Sequence, residues 1–263
     1  MTLRKFLAVI ATLVAAGCAT APPPAPAPSA QEEHLIDPRT GWHGEKPDAI
    51  EHRFETAWRF FLAGDNATAR QRLEDIRNRD AQYAPATLAE AAIDIREGHL
   101  DSARHAVDRI AEQYPNYAAA AVYEAEIDIA QNQIRSAYER YRTLIGRPDA
   151  PRAASARYAE LQTRLFDQIY GAATSARPED AIALLREALQ INPAATAARV
   201  LLVRDLITLK RFDEAERELS PLTTSSVAEQ PDVQEELAEI DVGRGQYEEA
   251  ITRYERLARN DSA

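Results

Sequence analysis

Ala69, Ala103, Ala137, Ala181, Ala215 and Ala250 open one short pattern six times, at separations of 34, 34, 44, 34 and 35 residues. Apolar or aromatic residues follow each alanine four and seven positions on: Leu73/Ile76, Val107/Ile110, Tyr141/Leu144, Leu185/Ala188, Leu219/Leu222 and Tyr254/Leu257. A spacing of i, i+4, i+7 marks one face of an α-helix. A face that returns at so constant an interval defines a stack of similar helical units, in which each unit buries its apolar side against its neighbours. The alanine itself fits a point where two helices cross too closely for a larger side chain. Strand-like runs are missing and the text is rich in Ala, Glu and Arg, so the fold class is all-α.

Each alanine is preceded by a turn. Five residues upstream stand Gly64, Gly98, Asn132, Lys210 and Gly245. Gly and Asn tolerate the left-handed conformation that ends one helix and redirects the chain. Leu100, Ile134, Phe212 and Tyr247 lie three residues upstream of their alanines and are expected to staple the turn to the stack. Pro115, Pro148 and Pro193 are placed to end second helices.

The text Gly98-His-Leu100-Asp-Ser-Ala103 with Val107, Ile110 and Pro115 resembles the second helix of the tetratricopeptide repeat, a 34-residue helix–turn–helix unit. Arg211-Phe212-Asp-Glu-Ala215 and Gly245-Gln-Tyr247-Glu-Glu-Ala250 resemble it too. Over residues 50–263 the resemblance implies a right-handed α-solenoid of about six units, with a groove lined by the first helices. Those first helices depart from the family pattern. Glu90-Ala-Ala-Ile93-Asp94-Ile95, Glu124-Ala-Glu-Ile127-Asp128-Ile129 and Leu237-Ala-Glu239-Ile240-Asp241-Val242 put Asp94, Asp128 and Asp241 in one register. They form either a carboxylate ladder facing a basic partner or a set of carboxylates solvated or hydrogen-bonded near helix ends.

The 44-residue step is the one irregularity in the series. Arg152 to Ala173 reads as an unusually long first helix, with Tyr158, Leu161, Leu165, Phe166, Ile169 and Tyr170 on helical spacing. The unit resumes at Pro178, a residue suited to a first helical turn. A bend and a partner-binding feature both fit this insertion. Phe54, Trp58 and Phe61 form an aromatic stripe on the first helix of the first unit, and Phe166 and Tyr170 a second one. With Arg96 and Arg204 on other first helices, they are the candidate partner-binding residues, since aromatics and Arg anchor interfaces. Core or terminal-cap packing is the competing reading of such stripes.

Residues 1–17 carry Arg4 and Lys5 and then an uncharged, mostly apolar run from Phe6 to Ala16, too short for a membrane-spanning helix. The run closes on Ala15-Ala16-Gly17-Cys18, with the only cysteine of the chain last. This resembles a bacterial lipoprotein signal, which implies cleavage before Cys18 and its lipidation. An ordinary secretory peptide with a nearby cysteine is the alternative. Several acyl chains anchor stably where one does not. Ala19 is not the Asp that similar lipoproteins use for inner-membrane retention, so the implied address is the periplasmic face of the outer membrane. Residues 18–49 read as a tether: Ala/Pro-rich to Ala30, then irregular, with Trp42 as a docking point.

The formal charge is −11, and −13 once Arg4 and Lys5 leave with residues 1–17. Such acidity argues against nucleic acid as a partner. No nucleophile elbow, phosphate loop, dinucleotide fingerprint or zinc-binding helix occurs in the sequence. All five histidines precede residue 106, and His99 and His105 are poorly spaced to share a ligand. The sequence thus implies no enzyme, no cofactor and no metal. It implies a membrane-anchored periplasmic scaffold for protein partners in envelope or outer-membrane complex assembly. The alternatives are a module for a non-protein envelope ligand such as peptidoglycan or a glycan, and a homo-oligomer joined through the C-terminal unit.

Overall fold

The computed structural model describes residues 34–260, and among these it contains twelve helices and no strand. They pair into six units in chain order. Units 1 to 3 are α1 (Asp48–Leu62) with α2 (Asn66–Arg79), α3 (Ala84–Glu97) with α4 (Leu100–Gln113), and α5 (Ala118–Ala130) with α6 (Ile134–Ile145). Units 4 to 6 are α7 (Arg152–Thr174) with α8 (Pro178–Ile191), α9 (Thr196–Thr208) with α10 (Phe212–Thr223), and α11 (Pro231–Gly243) with α12 (Tyr247–Asn260). Each helix packs on the next in the chain, and α1 on α3, α3 on α5 and α9 on α11, which makes a helical-repeat solenoid. No helix among the described residues is long and apolar enough to cross a membrane.

All six alanines of the series are buried where paired helices meet. The turns ahead of them take up positive φ at Gly64 (80°), Gly98 (79°), Asn132 (59°), Lys210 (58°) and Gly245 (76°). Lys210 does so without the freedom of glycine, held by helix-ending hydrogen bonds from its own N–H to Ile207 and from Arg211 to Leu206. Ile134 is buried as expected of a staple, but Tyr247 is 64 % exposed.

The carboxylate register is consumed inside the solenoid, which overturns the reading of a ladder offered to a basic partner. Asp94 and Asp128 are buried. Asp94 accepts from Arg70 on the preceding α2 (2.9 Å) and from Ser102 on α4 (2.7 Å). Asp128 accepts from Arg104 on α4, Ser136 (2.6 Å) and Arg140 (2.8 Å), and Asp241 from Arg253 (2.8 Å). Arg70 and Arg104 are themselves one repeat interval apart, so this tie repeats once, clamping α2 to α3 and α4 to α5. Charged donors on buried carboxylates are the strong class of hydrogen bond.

The long step has a definite consequence. α7 has 23 residues against 13 to 15 in the other first helices. Its Ala154, Leu161, Leu165 and Ile169 belong to the apolar core of units 1 to 3, while Ala173 belongs to a second core that continues to Ile240. Phe166 and Leu184 touch both cores. Helix α8 is divided too, with Ala188 and Ile191 in the first core and Ala181, Ile182, Leu185 and Leu189 in the second, so the long unit 4 joins the two stacks.

Candidate functional site

One register of the first helices decides what the groove can present. The residues 15 and 11 positions before the six alanines are Phe54/Trp58, Leu88/Ala92, Val122/Glu126, Phe166/Tyr170, Val200/Arg204 and Glu235/Glu239. In units 1 to 3 all six are buried. In units 4 to 6 only Val200 is buried; Phe166 and Tyr170 are half-buried, and Arg204, Glu235 and Glu239 are exposed.

The difference has two sources within the chain: Arg157 of α7 covers Glu126, and residues 34–47 lie over the other upstream first helices, with Arg39 beside Phe54. Residues 34–47, expected to belong to a tether, are packed against the first helices of the upstream stack and run backwards along it from α7 to α1. His34 lies 3.9 Å from Glu160 on α7. The carbonyl of Ile36 accepts from Tyr123 Oη (3.0 Å), that of Pro38 from Tyr117 Oη, and that of Thr40 from the N–H of Ala119 (3.2 Å). Three alternate carbonyls are thus held by α5 and the residue that opens it. Arg39 pairs with Asp37 (2.7 Å) and Glu51 (3.5 Å), with its guanidinium 5.2 Å from the Phe54 ring centre.

Trp42 locks the end of this segment. Its ring meets Tyr114 edge-on at 4.9 Å, Tyr117 at 5.3 Å and Tyr83 at 6.3 Å, and its Nε1 donates to the Glu45 carbonyl (3.2 Å). Such aromatic pairs add to the large apolar area that a tryptophan buries. Gly41, at φ 75°, lets the backbone approach α5: a Cβ there would stand 2.9 Å from that of Ala118. Burial raises the hydroxyl pKa values of Tyr83, Tyr117 and Tyr123, so these three stay neutral. Trp42 is the docking point that the sequence offered. Tyr83 and Tyr117 escaped it, although they stand one repeat interval apart, each immediately before a first helix.

The candidate partner-binding residues fall into two groups. Phe54, Trp58 and Phe61 are 0 %, 6 % and 2 % exposed, so they are core residues and offer no surface. They stack in sequence, Phe54 on Trp58 at 6.3 Å and Trp58 on Phe61 at 4.5 Å. Arg96 is committed to the same core: its guanidinium lies 3.6 Å from the Phe61 ring centre and donates to the Phe61 carbonyl and Asn66. Phe166 and Tyr170 stack at 5.6 Å on the joint between the two cores. Arg204 keeps half its surface while donating to Glu236 at 2.9 Å on the next first helix. Burial holds the Glu236 carboxyl above the usual carboxylate range, against the pull of Arg204. The accessible part of the predicted set is therefore Phe166, Tyr170 and Arg204, on one register of the downstream stack.

Asp94, Glu97 and His99 bring ligand atoms within 4.8 Å of one another. Arg70 already donates to both carboxylates, at 2.9 and 2.8 Å, so this cluster is an ion-pair node. Cys18 lies outside the described residues.

Fold and groove together define a helical-repeat scaffold for protein interaction. The tetratricopeptide repeat family model matches residues 172–226, from the end of α7 to just beyond α10, and the same helix pair recurs in register through all six units. Residues 172–226 thus carry a tetratricopeptide repeat, and the other units share its helix–turn–helix form. Solved structures similar to it include a thermophilic TPR protein of Thermus thermophilus, 17 % identical, covering 79 % of this chain and 89 % of that one at a TM-score of 0.30. A tetratricopeptide repeat protein of Parabacteroides merdae is 16 % identical, with 80 % and 79 % covered and a TM-score of 0.36. The flexible tandem repeat domain of a bacterial cellulose synthase is 17 % identical, with 80 % and 94 % covered at 0.29. No curated protein sequence gives a significant match.

Proposed function

We propose that the protein is a non-catalytic, membrane-anchored scaffold of the bacterial envelope, facing the periplasm from the outer membrane and docking a protein partner during assembly of an envelope complex. The observation that carries the docking site is the contrast within one register. Phe54/Trp58, Leu88/Ala92 and Val122/Glu126 are closed off in the upstream stack, whereas Phe166/Tyr170, Arg204 and Glu235/Glu239 remain accessible downstream. Half-buried stacked aromatics on α7 and an arginine in the same register on α9 supply rigid apolar area and directed hydrogen bonds. The exposed carboxylates favour a partner segment that carries basic residues. The anchor is supported by the resemblance of residues 1–18 to a lipoprotein signal. Self-association through the C-terminal unit belongs to the same proposal.

Affinity purification of the native protein from membranes after crosslinking is expected to recover a defined envelope protein. The triple variant Phe166→Ser, Tyr170→Ser, Arg204→Glu is expected to reduce that recovery at least about tenfold, the size expected when anchor residues of an interface are removed. Unchanged recovery would move the site elsewhere. Co-sedimentation with purified peptidoglycan and no protein partner would overturn the docking role. Cys18→Ser is expected to release the protein from the membrane fraction; a processed variant that still sediments with membranes would contradict the lipid anchor.

A further inference from the structure

Four large apolar side chains are exposed among the described residues, and three of them, Val242 (40 %), Tyr247 (64 %) and Ile251 (56 %), lie in unit 6. Unit 3 shows what this surface is for. Its equivalent residues, 113 positions earlier, are Ile129, Ile134 and Tyr138, at 8 %, 3 % and 6 % exposure. The polar residues match as well. Tyr254 donates to Glu239 (2.5 Å) as Tyr141 donates to Glu126 (2.6 Å), and Arg253 holds Asp241 as Arg140 holds Asp128. In unit 3 this whole face is closed by α7. Arg157 donates to both oxygens of Glu126 (3.0 and 2.9 Å), Tyr158 stacks on Tyr138 at 5.2 Å, and Ala154 and Leu161 are buried alongside. Unit 6 displays the same constellation with its carboxylate and apolar residues exposed.

We propose that this face pairs with its own counterpart on a second copy of the chain, α12 lying antiparallel to α12 about a two-fold axis. Tyr247, Ile251 and Tyr254 follow the 4–3 spacing of a helix–helix seam. The charges of α12 are arranged to suit its own reversal: Glu248 and Glu249 stand in the first turn, Arg256 and Arg259 in the last two. Antiparallel pairing sets each acidic end against the other copy's basic end, whereas parallel pairing opposes like charges. The helix spans 14 residues, about 21 Å at 1.5 Å per residue, which makes the contact a small one. It belongs to the class of weak, concentration-dependent interfaces. This inference rests on the self-association part of the proposed function; its seam residues Tyr247, Ile251 and Tyr254 on α12 are distinct from Phe166, Tyr170 and Arg204 of the partner site, while Glu239 borders both.

The test is light scattering of the purified full chain across about 1 to 100 μM, the range that suits a small interface. A mass rising from monomer to dimer is expected, and the Tyr247→Ser, Ile251→Ser variant is expected to stay monomeric with an unchanged melting curve, because both residues are exposed. In parallel, Ile251→benzoylphenylalanine in the full chain should photocrosslink to residues of α12 or α11 in a product of twice the chain mass. The same substitution at Glu112, on exposed α4 surface, should not. A wild-type mass that stays monomeric, a dimer unaffected by the double variant, or a crosslink at residue 251 to a different protein would each overturn the proposal. None of these readouts depends on capture of the groove partner, so failure of the two readings is distinguishable.

Discussion

Arg157→Ala is expected to destabilise the protein by about 3–5 kcal/mol, the cost of leaving one member of a buried ion pair without its partner. Glu126 is 3 % exposed and Arg157 6 %, and the two are joined by a bidentate pair of hydrogen bonds. The Tyr141 hydroxyl, whose pKa is raised first by burial and then by the Glu126 charge, donates to the same carboxylate. Removing the guanidinium strands a carboxylate at the joint where the two stacks meet. The companion double variant, Arg157→Met with Glu126→Gln, keeps an acceptor for Tyr141 and removes both charges. It is expected to regain most of the loss, because an apolar replacement of a whole buried pair is often neutral. Chemical denaturation of the wild type, both single variants and the double variant forms the cycle that checks this. Additive losses would show that the pair is not coupled.

Trp42→Ala is the second large effect, about 3–5 kcal/mol for truncating a buried aromatic side chain. In a chain of this size that corresponds to a melting temperature lower by roughly 6–20 °C. The loss is expected to be regional. The ring packs on Tyr83, Tyr114 and Tyr117, and the segment it locks is bonded to α5, so hydrogen exchange should accelerate in residues 34–47 and in α1, α3 and α5. Helices α9 to α11 belong to the second core, α12 packs on α11, and all four should retain their protection. Exchange that rises equally in both stacks would contradict the division at unit 4.

The repeat register was legible because it is local. Each alanine face, five of the turn residues and the three terminating prolines are set within one helix pair, and the five positive-φ turns fall where the spacing places them. The long helix was legible for the same reason. What escaped was non-local. The hydroxyls that hold Pro38 and Ile36 come from 79 and 87 residues away, and the segment they hold has no helical period to announce it. Phe54, Trp58 and Phe61 carry the composition of a binding surface, and only the packing of α1 and of residues 34–47 reveals that they are core. The carboxylate register does carry a signal in the sequence: Arg70 and Arg104 recur at one fixed distance before Asp94 and Asp128. Tyr247 differs from Ile134 for another reason. A staple is buried only when a neighbouring helix covers it, as α7 covers unit 3, and no described helix lies over unit 6.

The central claim is that one groove is divided, its upstream half filled by the chain's own residues 34–47 and its downstream half left for a partner. Photocrosslinking in cells from two aromatic positions tests it most directly. Tyr123→benzoylphenylalanine is expected to crosslink within the same chain, to residues around Ile36, and Tyr170→benzoylphenylalanine to a second protein. Capture of a partner from position 123, or of residues 34–47 from position 170, would contradict the account.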